Sequence, residues 1–340
     1  MRFAYAPYVM FIHETNPLAP RGGTETPESV FLNRRRWMQL AGISAGAVVA
    51  GAGYWLWRQT AAGADAQVLA AGRWSPAEDR YAPFYPATSD ERFAYGRRET
   101  AAAEAARYTN FYEFSSYKWC WRYVEPFHPD PWTLTVNGLC RNPLQLDLAD
   151  FHRQFRSQLV ERQYRHRCVE KWAMAVPWTG IPLAALLKAA DPLDQATHVR
   201  FVSFERPSEA AHQATGDSFP WPYTEGLTIA EAKNELALIA TGVYGRPLLK
   251  QHGAPLRLVV PWKYGYKSIK SIQRIELIGR EPATFWSTLN PSAYPFESNV
   301  DPAVHRPWNQ ATEKMLGSGE QLATQQYNGY GQWVASLYDV

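Results

Sequence analysis

Proline and aromatic residues recur through this chain too often for long helices. Its 340 residues hold 25 Pro, 14 Trp and 19 Tyr. Proline breaks helix interiors and is excluded from the middle of sheets. The chain must therefore fold from short elements joined by many turns and packed through rings, not as a helical bundle. Three cysteines exclude a disulfide-rich scaffold and most zinc-ribbon and iron–sulfur folds. A formal net charge of +3 is too small to mark a nucleic-acid binder, so no nucleic-acid partner is expected.

Residues 33–57 read NRRRWMQLAGISAGAVVAGAGYWLW. Arg34, Arg35 and Arg36 precede an uncharged stretch rich in Ala and Gly, and small residues follow, with Ala64-Asp65-Ala66 as the expected cleavage site. Positive region, apolar region and A-x-A site make an export signal, and the arginine pair resembles a twin-arginine leader. An uncleaved membrane anchor is the competing reading, because the apolar stretch is long enough to span. Residues 1–66 carry six basic and four acidic residues, which leaves 29 basic and 28 acidic in the remainder. The basicity of the whole chain thus belongs mostly to the leader.

Three divisions are expected: a leader over 1–66, an extended arm over 67–107 and a catalytic domain over 108–340. Within the last, Trp132–Val136 alternates as a strand and ends at a turn, Asn137-Gly138. Pro182–Ala190 predicts a short helix with proline in its first turn. His198–Phe204, Leu236–Ala240, Leu256–Val260 and Ile269–Ile278 read as strands or buried runs, and Ile229–Glu235 as a helix. From Ala283 onward there is little regular signal. Short helices and strands without a βαβα rhythm indicate the α+β class, with mixed sheets.

Three segments carry candidate chemistry. Cys168 lies in Tyr164–Trp172 beside Arg165, Arg167 and Lys171, cations that would lower a thiol pKa and favour the thiolate. A free cysteine is as readily a buried structural residue. The turn around Gly265 and Ser268 has Lys263, Lys267 and Lys270 about it; it could cradle a phosphate through backbone N–H groups and Lys charge, or be a solvated basic loop. Tyr108–Phe114 alternates polar and aromatic side chains, as a core strand would.

Together these segments resemble the sulfite-oxidase family of molybdopterin enzymes, and within it the bacterial reductases that act on methionine sulfoxide in proteins. The resemblance rests on N-F-Y-E-F (110–114), R-C-V-E-x-W (167–172), V-P-W-x-G (176–180), Y-x-E-G-L (223–227), T-G-V-Y-G (241–245), G-A-P-x-R-L-x-V-P-W-K-Y-G (253–265), K-S-I-K-S-I (267–272) and Y-N-G-Y (327–330). It covers nearly all the chain after the leader. It implies a sulfite-oxidase-type fold and one molybdenum per chain, held by a molybdopterin without a nucleotide. Cys168 would be the catalytic metal ligand, a soft thiolate for a metal already bound by sulfur. Thr109, Tyr112, Glu113, Ser203, His252, Arg257, Ser268, Ile269 and Lys270 would contact the cofactor. Thr109 and His252 stand where close relatives carry Asn. Arg165, His166 and Arg167 become candidates for tuning the metal or delivering protons. The implied reaction removes the sulfoxide oxygen as water, using two electrons and two protons, on oxidised periplasmic proteins. No C-x-x-C-H haem motif occurs in the chain, and the resemblance implies a haem-containing membrane subunit as donor from the quinone pool. A sulfite-oxidising relative of the same fold is the alternative, disfavoured because the cysteine segment reads C-V-E-K-W. Cys120 and Cys140 keep no assigned role; the periplasm would permit a disulfide between them.

Overall fold

Two consecutive strands, Val160–Arg167 and Trp172–Pro182, form the longest ladder in the molecule, an antiparallel hairpin running from Val160 opposite Gly180 to Arg167 opposite Ala173. Every residue of the second strand except Pro182 is buried. It also pairs antiparallel with Leu238–Val243, buried throughout, which continues the apolar run read from Leu236. Strands buried on both faces lose polar alternation.

The computed structural model describes residues 60–74, 77–215, 218–305 and 307–338. These lie within one compact unit, Tyr54–Val340. The leader over 33–57 falls outside the described residues. Among the described residues no helix is long and apolar enough to cross a membrane.

In chain order the strands are β1 (Thr88–Ser89), β2 (Thr133–Gly138), β3 (Leu144–Asp147), β4 (Val160–Arg167), β5 (Trp172–Pro182), β6 (His198–Ser203), β7 (Thr224–Thr228), β8 (Leu238–Val243), β9 (Arg246–Pro247), β10 (Arg257–Val259), β11 (Ile272–Ile278), β12 (Thr312–Met315) and β13 (Gln321–Ala323). One sheet of eight runs β1-β4-β5-β12-β13, with β8 also pairing β5, β9 and β10; a second of five runs β3-β2-β11-β6-β7. Both sheets are mixed. The pairs β1–β4, β5–β12 and β2–β11 are parallel and the remaining ladders antiparallel. Short helices such as Leu183–Ala190 connect them, which is the α+β architecture expected from the pattern.

Residues 67–107 are not a free arm. They carry the end of a helix over 60–71, 3-10 turns at Ala77–Phe84 and Glu91–Phe93, strand β1 and a helix at Ala102–Arg107. Trp74, Tyr81 and Phe93 from this stretch are buried in the main core. The division between residues 66 and 67 falls inside the helix over 60–71. That helix buries Val68 against Ala106 and Leu249, and its Asp65 pairs with Arg107.

An aromatic cluster packs the chain after Ala102–Arg107 against residues flanking two strands of the five-stranded sheet. Phe127 packs on Phe204 at 4.7 Å, on Phe114 at 5.4 Å and on Trp132 at 5.9 Å between ring centroids. Such tilted and edge-on pairs add stabilisation beyond their buried area. Phe114 belongs to the loop that follows Ala102–Arg107, so the cluster fixes the residues just before it, 109–113.

Candidate active site

The turn of the β4–β5 hairpin places Cys168. Its N–H donates to Trp172 O at 2.9 Å, and its carbonyl accepts from Lys171 N–H at 3.0 Å. Lys171 takes a left-handed φ of 72° to close the turn. The thiol faces a cavity of about 90 Å³. Of the sequence-predicted residues, Thr109, Tyr112, Glu113, Cys168, Arg257, Ser268, Ile269 and Lys270 line this one cavity. Four separate stretches of chain are thereby brought to one point.

Ser203 and His252 are not among the lining residues. Ser203 sits behind the wall: its hydroxyl donates to Glu113 Oε1 at 3.2 Å and to Lys270 O at 2.8 Å. The carbonyl of His252 accepts from Arg257 at 3.0 Å, while its ring Nδ1 is buried without a partner among the described residues. Both residues position cavity groups from outside.

The Lys-rich turn divides by charge partner. Lys263 pairs with Glu231 at 2.5 Å and Lys267 with Glu225 at 2.7 Å, each pair almost wholly buried. Those two lysines are committed to carboxylates, and of the turn's three lysines Lys270 is the one among the cavity's lining residues. Lys270 and Arg257 differ. Among the described residues neither forms an ion pair, although Arg257 is held by the carbonyls of His252 and Ser268. Burial, then the neighbouring Arg257, pulls Lys270 down from 10.5 to about 7. Burial lowers Arg257 as well, to about 9. Two buried cations with Glu113 as a nearby carboxylate but no ion pair are costly alone and form a fitting receptacle for a multiply charged anion.

The thiol departs from expectation too. Burial, then Glu170, pushes Cys168 up, against the weaker pull of Lys118 and Arg167. Arg165 and Arg167 do not act as free cations beside it. Both pair with the buried Glu313, Arg167 at 2.7 Å. His166 does line the cavity. Burial, then Arg257 and Lys270, holds it well below its usual value, so it is neutral. Cys120 and Cys140 are free thiols.

Several site residues have no counterpart in the sequence reading. Glu170 accepts from Lys118 at 2.8 Å, from Trp172 Nε1 at 2.9 Å and from Asn110 at 3.2 Å, and lies 3.7 Å from Cys168 Sγ. Burial raises its pKa, but Lys118 and these hydrogen bonds outweigh that and keep it ionised. Its spacing, two residues after the cysteine, was the available signal. Tyr266, Trp286, Tyr294 and Trp308 complete the walls; the last three come from the stretch without regular signal.

Among the described residues no three His, Cys, Asp or Glu side chains gather into a metal site. A metal at Cys168 would therefore draw its other ligands from a cofactor. The cavity fits one: a thiol at one side, a buried unpartnered Asn110 Oδ1 in its wall, and two cations for an anionic end. Fold and site together suit the metal-binding pterin cofactor that the sequence resemblance implies.

The comparisons agree. Residues 122–286 match the oxidoreductase molybdopterin binding domain. The chain is 50% identical over 252 residues to the protein-methionine-sulfoxide reductase catalytic subunit MsrP of Gluconobacter oxydans, covering 70% of this chain and 78% of that protein. It is 42% identical over 323 residues to the MsrP of Burkholderia mallei, covering 92% and 91%. The chain belongs to the MsrP family of catalytic subunits. A weaker likeness, at a TM-score of 0.38 and 16% identity, links it to the sulfane dehydrogenase SoxCD of Paracoccus pantotrophus, over 58% of this chain and 45% of that one; the assignment does not rest on it.

Proposed function

We propose that this chain reduces methionine sulfoxide to methionine in oxidised proteins of the periplasm. It reaches that compartment through the twin-arginine leader and takes electrons from a haem-containing membrane subunit linked to the quinone pool. The observation that carries the reading is the placement of Cys168 in an aromatic-walled cavity with Arg257 and Lys270, neither of which forms an ion pair among the described residues. When bound, a molybdenum pterin, one per chain and without a nucleotide, supplies the two-electron removal of the sulfoxide oxygen.

The chain's own residues do the rest. Arg257, Lys270 and the turn at Ser268–Ile269 hold the anionic end of the cofactor, with Gly253 letting Lys270 approach. Cys168 gives a thiolate ligand once a cation offsets its burial. Glu170, fixed by three donors, orients Asn110 and stays a carboxylate. Tyr112, Trp286 and Tyr294 exclude water from the mouth and offer ring edges to a sulfur centre. Ser203 holds Glu113 and the Lys270 backbone in register.

Anaerobic expression with molybdate, metal analysis and an assay on an oxidised protein with reduced dye test this. About one molybdenum per chain, reduction of the protein-bound sulfoxide, and loss of that activity in Cys168→Ser are expected. Sulfite oxidation without sulfoxide reduction would instead select the sulfite-oxidising alternative. Less than about 0.1 molybdenum per chain would remove both readings.

A further inference from the structure

Among the described residues Trp308 is the one exposed large apolar side chain that lines the cavity holding Cys168. Its residue is 44% exposed, and among the described residues its indole packs on no other ring. An apolar group of that size left in water at the mouth of a site marks a contact surface. Leu289, also exposed, sits three residues after the wall residue Trp286 on the same short helix, which puts both on one side of it.

The backbone of Trp308 is fastened to the metal-ligand turn through one buried amide. Gln310 is fully buried. Its Nε2 donates to Trp308 O at 3.2 Å and to Val169 O at 2.7 Å. Its Oε1 accepts from Arg167 Nη2 at 2.8 Å, and Arg167 also donates to Cys168 O. The rim indole and the cysteine turn are thus set by the same side chain.

We infer that Trp308 contacts the polypeptide flanking an oxidised methionine, and that Gln310 is the positioning residue that sets this indole relative to Cys168. This rests on the reductase reading given above. The physical reason lies in contact area. Free methionine sulfoxide ends at its own ammonium and carboxylate and leaves the exposed indole of Trp308 uncovered. A peptide supplies apolar neighbours for the indole to cover. The rim therefore favours polypeptide over free amino acid.

The test compares a capped methionine-sulfoxide peptide with free methionine sulfoxide, using molybdenum-loaded wild type, Trp308→Ala, Trp308→Phe and Gln310→Glu. Trp308→Ala is expected to lower the ratio of the two kcat/KM values about tenfold, chiefly through the peptide KM. Trp308→Phe should recover part of it. Gln310→Glu, which replaces two donated hydrogen bonds by repulsion, should lower the ratio and alter the Mo(V) resonance signal. A second readout needs no turnover: Kd of a fluorescent oxidised peptide by anisotropy should weaken about tenfold in Trp308→Ala. A ratio within twofold of wild type, or loss of molybdenum from Trp308→Ala, overturns the inference. If wild type reduces neither substrate, the reductase reading fails, and the anisotropy result still decides the role of Trp308.

Discussion

Arg167 Nε meets Glu313 Oε2 at 2.7 Å with both side chains wholly buried. Arg165 joins the same carboxylate from the other end of a two-residue step along β4. One glutamate, 146 residues further on, thus serves two guanidiniums beside the cysteine turn.

Glu313→Ala leaves both arginines in the interior without a counter-charge. Removing one member of a buried ion network costs about 3–5 kcal/mol, because the remaining charge stays desolvated. Urea denaturation should report a loss of that size. A change below about 1 kcal/mol would mean that Gln310, Thr324 and backbone carbonyls alone satisfy the arginines.

Lys270→Met should stabilise the cofactor-free protein and abolish retention of the cofactor. The folded lysine loses its proton near 7, the unfolded one near 10.5. Between those values the unfolded state binds more protons, so wild-type stability rises with pH, by up to about 1.4 kcal/mol per unit. Below about 7 the lysine is charged in both states, while Glu113, pushed up by burial to about 7, takes a proton and ceases to offset it. The advantage of Lys270→Met should therefore be greatest at and below neutral pH and shrink towards pH 10.5. Thermal melts of both apo proteins across that range check the sign; an advantage that grows with pH contradicts it.

Gly253→Ala should damage the same site sterically. Gly253 has a φ of 95°, and a Cβ there would lie 2.7 Å from Lys270 Cβ and 3.1 Å from its Cα. A non-glycine residue in this strained region costs about 1–3 kcal/mol. The expected result is lower stability together with lower molybdenum content, read by melts and metal analysis.

Thiol labelling separates the cysteines. Cys140 is only partly buried, whereas Cys120 and Cys168 are buried and burial pushes both thiols up, Cys120 to about 12. In the apo protein at pH 8, iodoacetamide should modify Cys140 first, with the other two at least about tenfold slower. Peptide mass spectrometry gives the order. Fast labelling of Cys168 would mean that its cavity leaves the thiolate solvated.

The sequence carried the site through whole motifs, not through single residue types. Cys168, Arg257 and Lys270 were named through the family resemblance, since a lone thiol reads as readily as a structural residue and a lysine turn as a solvated loop. Lys263 and Lys267 were not legible, since their meaning depends on Glu231 and Glu225, which no local pattern connects to them. Strand β4 escaped for a related reason: its buried positions include Arg162, Arg165 and Arg167, which read as surface until Glu313 is known to face two of them. The apolar runs of β8 and β10 and the helix Leu183–Ala190 were legible, because burial and pattern agree there. Trp286, Tyr294 and Trp308 lie in irregular chain, where periodicity has nothing to report.

The wide spacing of the residues around Cys168 has a consequence for synthesis. Walls are drawn from Thr109 to Trp308, and the clamp on the cysteine turn waits for Gln310 and Glu313. Contacts across such separations form late, after most loop-closure entropy has been overcome. A chain still on the ribosome has no receptacle until residues through Glu313 have emerged. Cofactor capture would therefore report that the chain through Glu313 has been made and folded.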